Sequence, residues 1–403
     1  MAEALGAGAV GDAGPAGGPD GAPERACARV NVAAIERNCA RLRGELDGGA
    51  RLCAVVKADG YGHGAVQSAR AALAGGASWL AVVEARELRE LREAGLREVP
   101  VLVMGALTGA ELRSALADGG EVVVWSEDAV AAVAAAGGGS VHVKLDSGMG
   151  RLGTRDPEQA SAAVAAAEQA PGVRLAGLMT HFATADEADD AGFFAGQLET
   201  FTRWARATAA SRPDLLIHAA NSAAVLREPA SHFDMVRCGV AVYGMDPFGA
   251  DPAERALEPA LELESYVADV KLCRAGQSTG YGRRFVAERD TALGLLPIGY
   301  GDGWRRALSN NAEALVAGER RPLVGTVSMD SVTADLGPGA DATLRGERAV
   351  LIGRQGSERI TAEDLARRLG TINYEITCGL SARVTRRYHR DGESFRAAGE
   401  DAG

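Results

Sequence analysis

Eight short apolar runs limit what this chain can fold into. They begin near residues 52 (LCAVV), 79 (WLAVV), 101 (VLVMG), 121 (EVVVW), 141 (VHVKL), 173 (VRLAGLM), 215 (LLIHAA) and 235 (MVRCG). Most are separated by segments rich in Ala, Glu and Arg, such as Glu84 to Gly95 and Glu127 to Gly137. Strand-like runs alternating with helical ones predict an α/β fold, an eight-stranded parallel (β/α)8 barrel of the TIM type. An open doubly wound sheet would give a similar alternation, so the polar residues must arbitrate. Lys57, Lys144, Asp146, His181, Asn221, Ser222 and Arg237 fall at or just beyond the C-terminal ends of different runs. In a barrel those ends converge on one mouth, where chemistry is built.

After about residue 258 the pattern changes. Leu261 to Leu272, Thr291 to Pro297, Leu323 to Val332 and Arg348 to Ile352 alternate with period two between glycine-rich turns, which predicts antiparallel strands. Thr361 and Asp364 form a capping box for a helix reaching Leu369. Near the other end, Ala28 to Val32 reads as a strand, and Asn31 can cap a helix carrying Ile35 and Leu42. Residues 1–24 are Gly/Ala/Pro-rich and acidic, without the basic start and apolar core of a secretory signal, and read as a disordered extension. The expected division is an extension over 1–24, a barrel over 25–258, a mainly β C-terminal domain over 259–392 and a frayed tail over 393–403.

A chain of 403 residues has material for two domains, and 47% hydrophobic with 24% charged residues describes an ordinary globular protein. The net charge of −11 argues against a nucleic-acid surface, and no apolar run is long enough to span a bilayer. Six scattered cysteines without CxxC spacing read as reduced thiols of a cytoplasmic protein, with no zinc site.

Chemistry concentrates at Leu52 to Gly64, LCAVVKADGYGHG, where Lys57 follows an apolar strand and two glycine turns carry Asp59, Tyr61 and His63. An ammonium at such a mouth is desolvated, which lowers its pKa and makes a nucleophile able to form a Schiff base. The plain alternative is a lysine that snorkels to solvent. Composition bears on the choice: there are three lysines (Lys57, Lys144 and Lys271) against forty arginines. Lysine therefore remains where arginine, which forms no imine, cannot serve.

Gly148-Met149-Gly150-Arg151-Leu152-Gly153 fits GxGxxG after a strand, as a dinucleotide site would. The next run ends in Thr180-His181 rather than in the acidic residue that such a site wants about 20 residues on. Asn221-Ser222 opens a helix whose free N–H groups and hydroxyl suit a phosphate, or form a plain N-cap. Arg151 suits a carboxylate ligand or a surface ion pair, Arg237 a buried pair with a carboxylate, His181 a structural role, and Tyr281 a turn between glycines.

The lysine segment closely resembles the cofactor motif of alanine racemases, which depend on pyridoxal 5'-phosphate (PLP), and similar motifs follow in that family's order from about residue 28 to 388. The resemblance implies that Lys57 carries PLP covalently. Arg151 then binds the substrate carboxylate, and Arg237 faces the pyridine nitrogen. His181 connects Arg237 to a catalytic tyrosine. Ser222, Gly239, Val240 and Tyr374 hold the phosphate, and Tyr61 and Asn221 complete the cofactor site. In the C-terminal part, Tyr281 is implied as the second catalytic base, lent to the partner subunit of a homodimer. Tyr300 lines the substrate entrance, and the N–H of Met329 binds the substrate. Ser328 stands where cysteine is frequent, which touches pocket shape more than binding. Lys144 matches a lysine that is carbamylated in some members; its plain alternative is a pair with Asp146. The implied activity is two-base interconversion of L- and D-alanine for cell-wall peptidoglycan. Both bases must then work near neutral pH from reference values of about 10. A racemase of serine or another small amino acid is an alternative; a PLP-dependent decarboxylase lacks its Glu-Pro-Gly-Arg motif here, and a dehydrogenase needs the Gly148–Gly153 loop.

Overall fold

The computed structural model describes residues 24–46 and 49–394; the expected extension over 1–24 and the tail over 393–403 lie almost wholly outside them. Two compact units result. One comprises residues Asn31–Ala260 with Asn373–Cys378, the other residues 24–30, Leu261–Ile372 and Gly379–Ser394.

The first unit is a closed barrel of eight parallel strands. They are β2 (Arg51–Val55), β3 (Trp79–Val82), β4 (Val101–Val103), β5 (Glu121–Val124), β6 (Gly139–Lys144), β7 (Val173–Met179), β8 (Leu216–His218) and β9 (Met235–Cys238), numbered after an earlier strand, β1 (Cys27–Asn31). Closure is made where β2 pairs with β9, Arg51 opposite Met235 through Ala54 opposite Cys238. All eight apolar runs of the sequence are barrel strands. β3 and β4 are buried at every residue, as expected of strands covered on both faces. Side chains start the intervening helices: Asn31 accepts from Ala33, Thr108 and Glu111 form a capping box, and Asp156 precedes Pro157 at the first helical position. Among the described residues no helix is long and apolar enough to cross a membrane.

The second unit is built on an antiparallel sheet of eleven strands. β1 belongs here, pairing antiparallel with β10 (Leu261–Tyr266), although it precedes the barrel in sequence. β11 (Asp269–Cys273) lies at one end of the sheet and carries Lys271, whose charge suits an edge that must not pair with another chain. The run expected from Leu323 to Val332 is two strands, Glu319–Val324 and Val332–Gly337. Gly325, at φ +79°, turns the chain out of the sheet between them. The helix Ala362–Leu369 has the capping box of Thr361 and Asp364.

Candidate active site

Lys57 follows β2 at the start of a left-handed turn. Ala58, Asp59 and Gly60 have φ of 53°, 52° and 59°. The left-handed conformation costs a residue with Cβ about 1–2 kcal/mol, so Ala58 and Asp59 stay there only because neighbours hold them. Glu87 accepts the N–H of Ala58 at 2.6 Å and that of Val83 at 2.8 Å. Asp59 accepts from Ala65 N at 2.9 Å, which ties the turn to the next helix. At Gly62 a Cβ would lie 2.2 Å from the carbonyl oxygen of Thr377, so the motif's second turn admits glycine alone. The Lys57 side chain is thereby set on a cavity of about 690 Å³, a size suited to a small cofactor with its substrate. Burial, and then the charge of Arg151, lowers the Lys57 pKa from its ordinary value, with Glu87 opposing.

The same cavity is lined by Tyr61, Lys144, Arg151, His181, Asn221, Ser222, Arg237, Gly239, Val240 and Tyr374. All lie in the barrel unit, the last on the short helix Asn373–Cys378. Arg237 is buried on β9. Its Nη2 donates to the carbonyls of Thr180 at 2.8 Å and Ala219 at 3.0 Å and meets His181 Nδ1 at 3.3 Å. Burial pulls its pKa down to about 10, which leaves it cationic at neutral pH. His181 is pushed well below its ordinary value by burial and then by Arg237, so its ring is neutral. Arginine only donates, so His181 accepts at Nδ1 and carries its proton on Nε2.

The glycine loop after β6 is not a nucleotide cradle. No helix starts there; the next begins at Pro157. The N–H groups of Gly148 and Gly150 donate to Asp146 at 3.0 and 2.9 Å. Burial works against the Asp146 carboxylate, but these donors and Arg155 outweigh it and hold its pKa low. Asp146 is thus engaged by the loop and by Arg155, whereas Lys144 makes no ion pair among the described residues. Burial, then Arg237 and Arg151, bring Lys144 down to about 8.

Three observations show that PLP fits these residues. Lys57 offers an amine of lowered basicity. Arg237 Nε is buried without a hydrogen-bond partner among the described residues, a donor suited to a ring nitrogen. A Cβ on Gly239 would lie 2.2 Å from Tyr61 Oη, so glycine keeps the backbone beside Ser222 open to a phosphate. Ser222 Oγ accepts the N–H of Gly239 at 3.1 Å, which fixes hydroxyl and loop together.

Tyr281, Tyr300 and Met329 are in the C-terminal unit and well exposed, Tyr281 at 74%. There the loops of Tyr300 and Met329 are laced together: Tyr300 N donates to Ser328 O at 3.0 Å and Gly301 N to Met329 O at 2.8 Å. The sequence reading missed Glu87 and Tyr243. Tyr243 donates to Val55 O at 2.9 Å and stacks on Tyr61 with centroids 5.0 Å apart, bracing the strand that delivers Lys57. Its place in GVAVYG, close after Gly239, is the available signal.

The comparisons with known proteins agree along the chain. A family described as "Alanine racemase, N-terminal domain" matches residues 30–247, and "Alanine racemase, C-terminal domain" matches residues 260–388. The alanine racemase of Geobacillus stearothermophilus is 42% identical over 369 residues, covering 90% of this chain and 93% of that one. The alanine racemase of Thermobifida fusca is 41% identical, with 90% and 97% covered. The solved alanine racemase from Streptomyces coelicolor A3(2) superposes with a TM-score of 0.84 at 37% identity, covering 90% of this chain and 98% of that one. With both domains matched in order around a site that fits the cofactor, the chain belongs to the alanine racemase family of PLP-dependent isomerases.

Proposed function

We propose that this chain interconverts L- and D-alanine with two bases, Lys57 and Tyr281 of the partner subunit, in a homodimer whose active sites are shared. The observation that carries the proposal is the convergence of Lys57, Arg151, His181 and Arg237 on one cavity, around an amine displaced toward neutrality. The product is the D-alanine of cell-wall peptidoglycan. The cytoplasm is the compartment we assign, since all six cysteines are free.

When bound, PLP draws electrons from the substrate Cα and makes its proton removable. Lys57 anchors the cofactor and exchanges that proton at Nζ on one face. Tyr281 of the partner subunit does so at its phenol oxygen on the other. A lowered Lys57 pKa puts more of the amine in its basic form near neutral pH. Arg151 offers a planar fork to the substrate carboxylate, assisted by the N–H of Met329. Arg237 donates to the ring nitrogen and keeps its proton, which limits electron withdrawal and with it transamination. His181, with its proton on Nε2, donates to the phenol oxygen of Tyr281 of the partner subunit. Asn221, Ser222, Gly239, Val240, Tyr61 and Tyr374 hold the phosphate end, and Tyr300 lines the entrance.

Lys144 is carbamylated in this reading. A bare ammonium facing two arginines, with Asp146 engaged by the loop and Arg155, is unfavourable. Addition of carbon dioxide to the neutral amine forms an N–C bond and releases one proton, giving an anion that accepts hydrogen bonds from Arg151. Electron density decides it: three extra atoms beyond Nζ support the carbamate, and an ordered bare ammonium in crystals grown with bicarbonate removes it. For the main proposal the test is borohydride reduction of the PLP-loaded enzyme followed by peptide mapping. Pyridoxyl on Lys57 is expected; pyridoxyl on Lys144 or Lys271 overturns the assignment.

A further inference from the structure

Behind the cavity, a file of buried polar side chains crosses the barrel interior. Arg237 Nη1 lies 2.8 Å from His218 Nδ1. His218 Nε2 lies 2.8 Å from His142 Nδ1, and His142 Nε2 lies 2.9 Å from Glu121 Oε2. Both imidazoles are completely buried, and Glu121, the first residue of β5, also meets Arg174 Nη2 at 3.2 Å near the surface. None of Glu121, His142 and His218 lines the cavity.

The fold makes special room for this file. On β7, between the two histidine strands, the residue opposite His142 is Gly177. A Cβ there would lie 2.5 Å from His142 Nδ1 and 2.6 Å from the carbonyl oxygen of Leu216. A side chain at 177 would thus stand in the gap through which the rings meet. The β6–β7 register also shifts between Val141 and His142, a local irregularity at the residue that makes the crossing.

Hydrogen-bond chemistry allows the file one pattern of protons. Arginine only donates, so His218 accepts at Nδ1 and carries its proton on Nε2. His142 then accepts at Nδ1, carries its proton on Nε2 and donates to Glu121, a carboxylate that only accepts. A second proton on either ring would place two donors face to face. Burial, reinforced by Arg237, also holds the His218 pKa well below its ordinary value.

We propose that Glu121 is a positioning residue for racemisation, the terminal acceptor that pairs the buried Nε2–H of His142 and thereby holds both imidazoles and the Arg237 guanidinium in place. With Nη1 committed to His218 and Nη2 to Thr180 and Ala219, Nε is left toward the ring nitrogen; this part rests on the reading of Arg237 given above. Glu121 acts from the N-terminal end of its strand, where barrel residues are otherwise read as serving stability alone.

Nitrogen-15 NMR of the six histidines, in protein with and without PLP, reads the tautomers directly. For His142 and His218 the wild type is expected to show protonated Nε2 and bare Nδ1. Glu121→Leu should strand the Nε2–H of His142, shift its nitrogen-15 signal and lower kcat about tenfold, the scale of lost outer supports at other sites, with KM for alanine little changed. Glu121→Gln, whose amide oxygen still accepts from Nε2, should restore both the paired Nε2–H signal and most of kcat. A proton on Nδ1 of either ring in the wild type overturns the proposal even if no variant folds. So does a Glu121→Leu enzyme whose His142 Nε2 signal or kcat is unchanged. An Arg237→Gln enzyme with unchanged cofactor absorption and racemisation would instead remove the reading of Arg237, and the apoprotein spectrum would still report on the file.

Discussion

The tyrosines of the two units are used in opposite ways. In the barrel unit Tyr61 and Tyr243 are buried against one another, and burial raises the pKa of both phenols. They remain protonated, so they can pack and donate but cannot serve as bases. In the C-terminal unit Tyr281 and Tyr300 are exposed, at 74% and 42%. The hydroxyl of Tyr281 has no hydrogen-bond partner among the described residues; only its backbone is held, by Thr326 Oγ1 at 2.7 Å. The barrel unit encloses this pair of tyrosines and the C-terminal unit presents its pair. A reactive phenol must be presented, because the burial that fixes Tyr243 also forbids its ionisation.

Changes on the enclosed side should divide into chemistry and packing. Lys57→Ala has the largest expected effect, a loss of racemisation of about 10⁴-fold or more, since base and attachment point go together. Its melting temperature should stay within about 2 °C of wild type, and a collapse of the fold would assign Lys57 to structure. Tyr281→Phe comes next, with activity down about 10²- to 10³-fold and no change in melting. Mixed Lys57→Ala and Tyr281→Phe chains should regain activity, because each heterodimer holds one site with both bases. No recovery despite demonstrated subunit exchange would put the two residues in one chain and undo the contrast.

Tyr243→Phe tests the opposite case. Loss of its bond to Val55 should cost about 1–3 kcal/mol of stability in denaturant titrations while kcat changes less than about threefold. The smallest effect concerns Lys144. Its amine titrates near 8 in the folded protein against 10.5 as reference, so the unfolded chain binds more protons between those values. Stability contributed by this group therefore rises as pH rises from about 8 toward 10.5 and is flat below that window. Wild type freed of carbon dioxide should show a steeper rise than Lys144→Met. A carbamylated sample should match Lys144→Met, and an identical slope in all three would show that Lys144 does not titrate there.

The barrel was legible because each buried parallel strand is an unbroken apolar run, and the site because its polar residues stand at strand ends. Order along the chain misled where pairing is long-range. The strand at Ala28 to Val32 falls inside the span expected for the barrel, 25–258, yet its partner is β10, and nothing in Cys27–Asn31 distinguishes the two sheets. Asn373–Cys378 lies far along the chain and still belongs with the barrel, holding Tyr374 beside Tyr61 with centroids 5.9 Å apart. Alternation carried the expected strand through Gly325, where a positive φ ends it. His142 was hidden for another reason: inside VHVKL it occupies an ordinary strand position, and only the bare Gly177 opposite explains why an imidazole fits.

The edge position of Lys271 has a practical side. Its side chain is 76% exposed, beside Asp269 at 3.6 Å, while Lys144 is enclosed and Lys57, in the proposed function, is tied up whenever cofactor is loaded. An acylating reagent applied to the loaded enzyme should therefore modify a single lysine side chain, on the rim of the C-terminal sheet. Strip the cofactor and a second, Lys57, should become reactive. A chain this poor in lysine carries its own address for oriented coupling to a surface, and the same reagent reports whether the active site is filled.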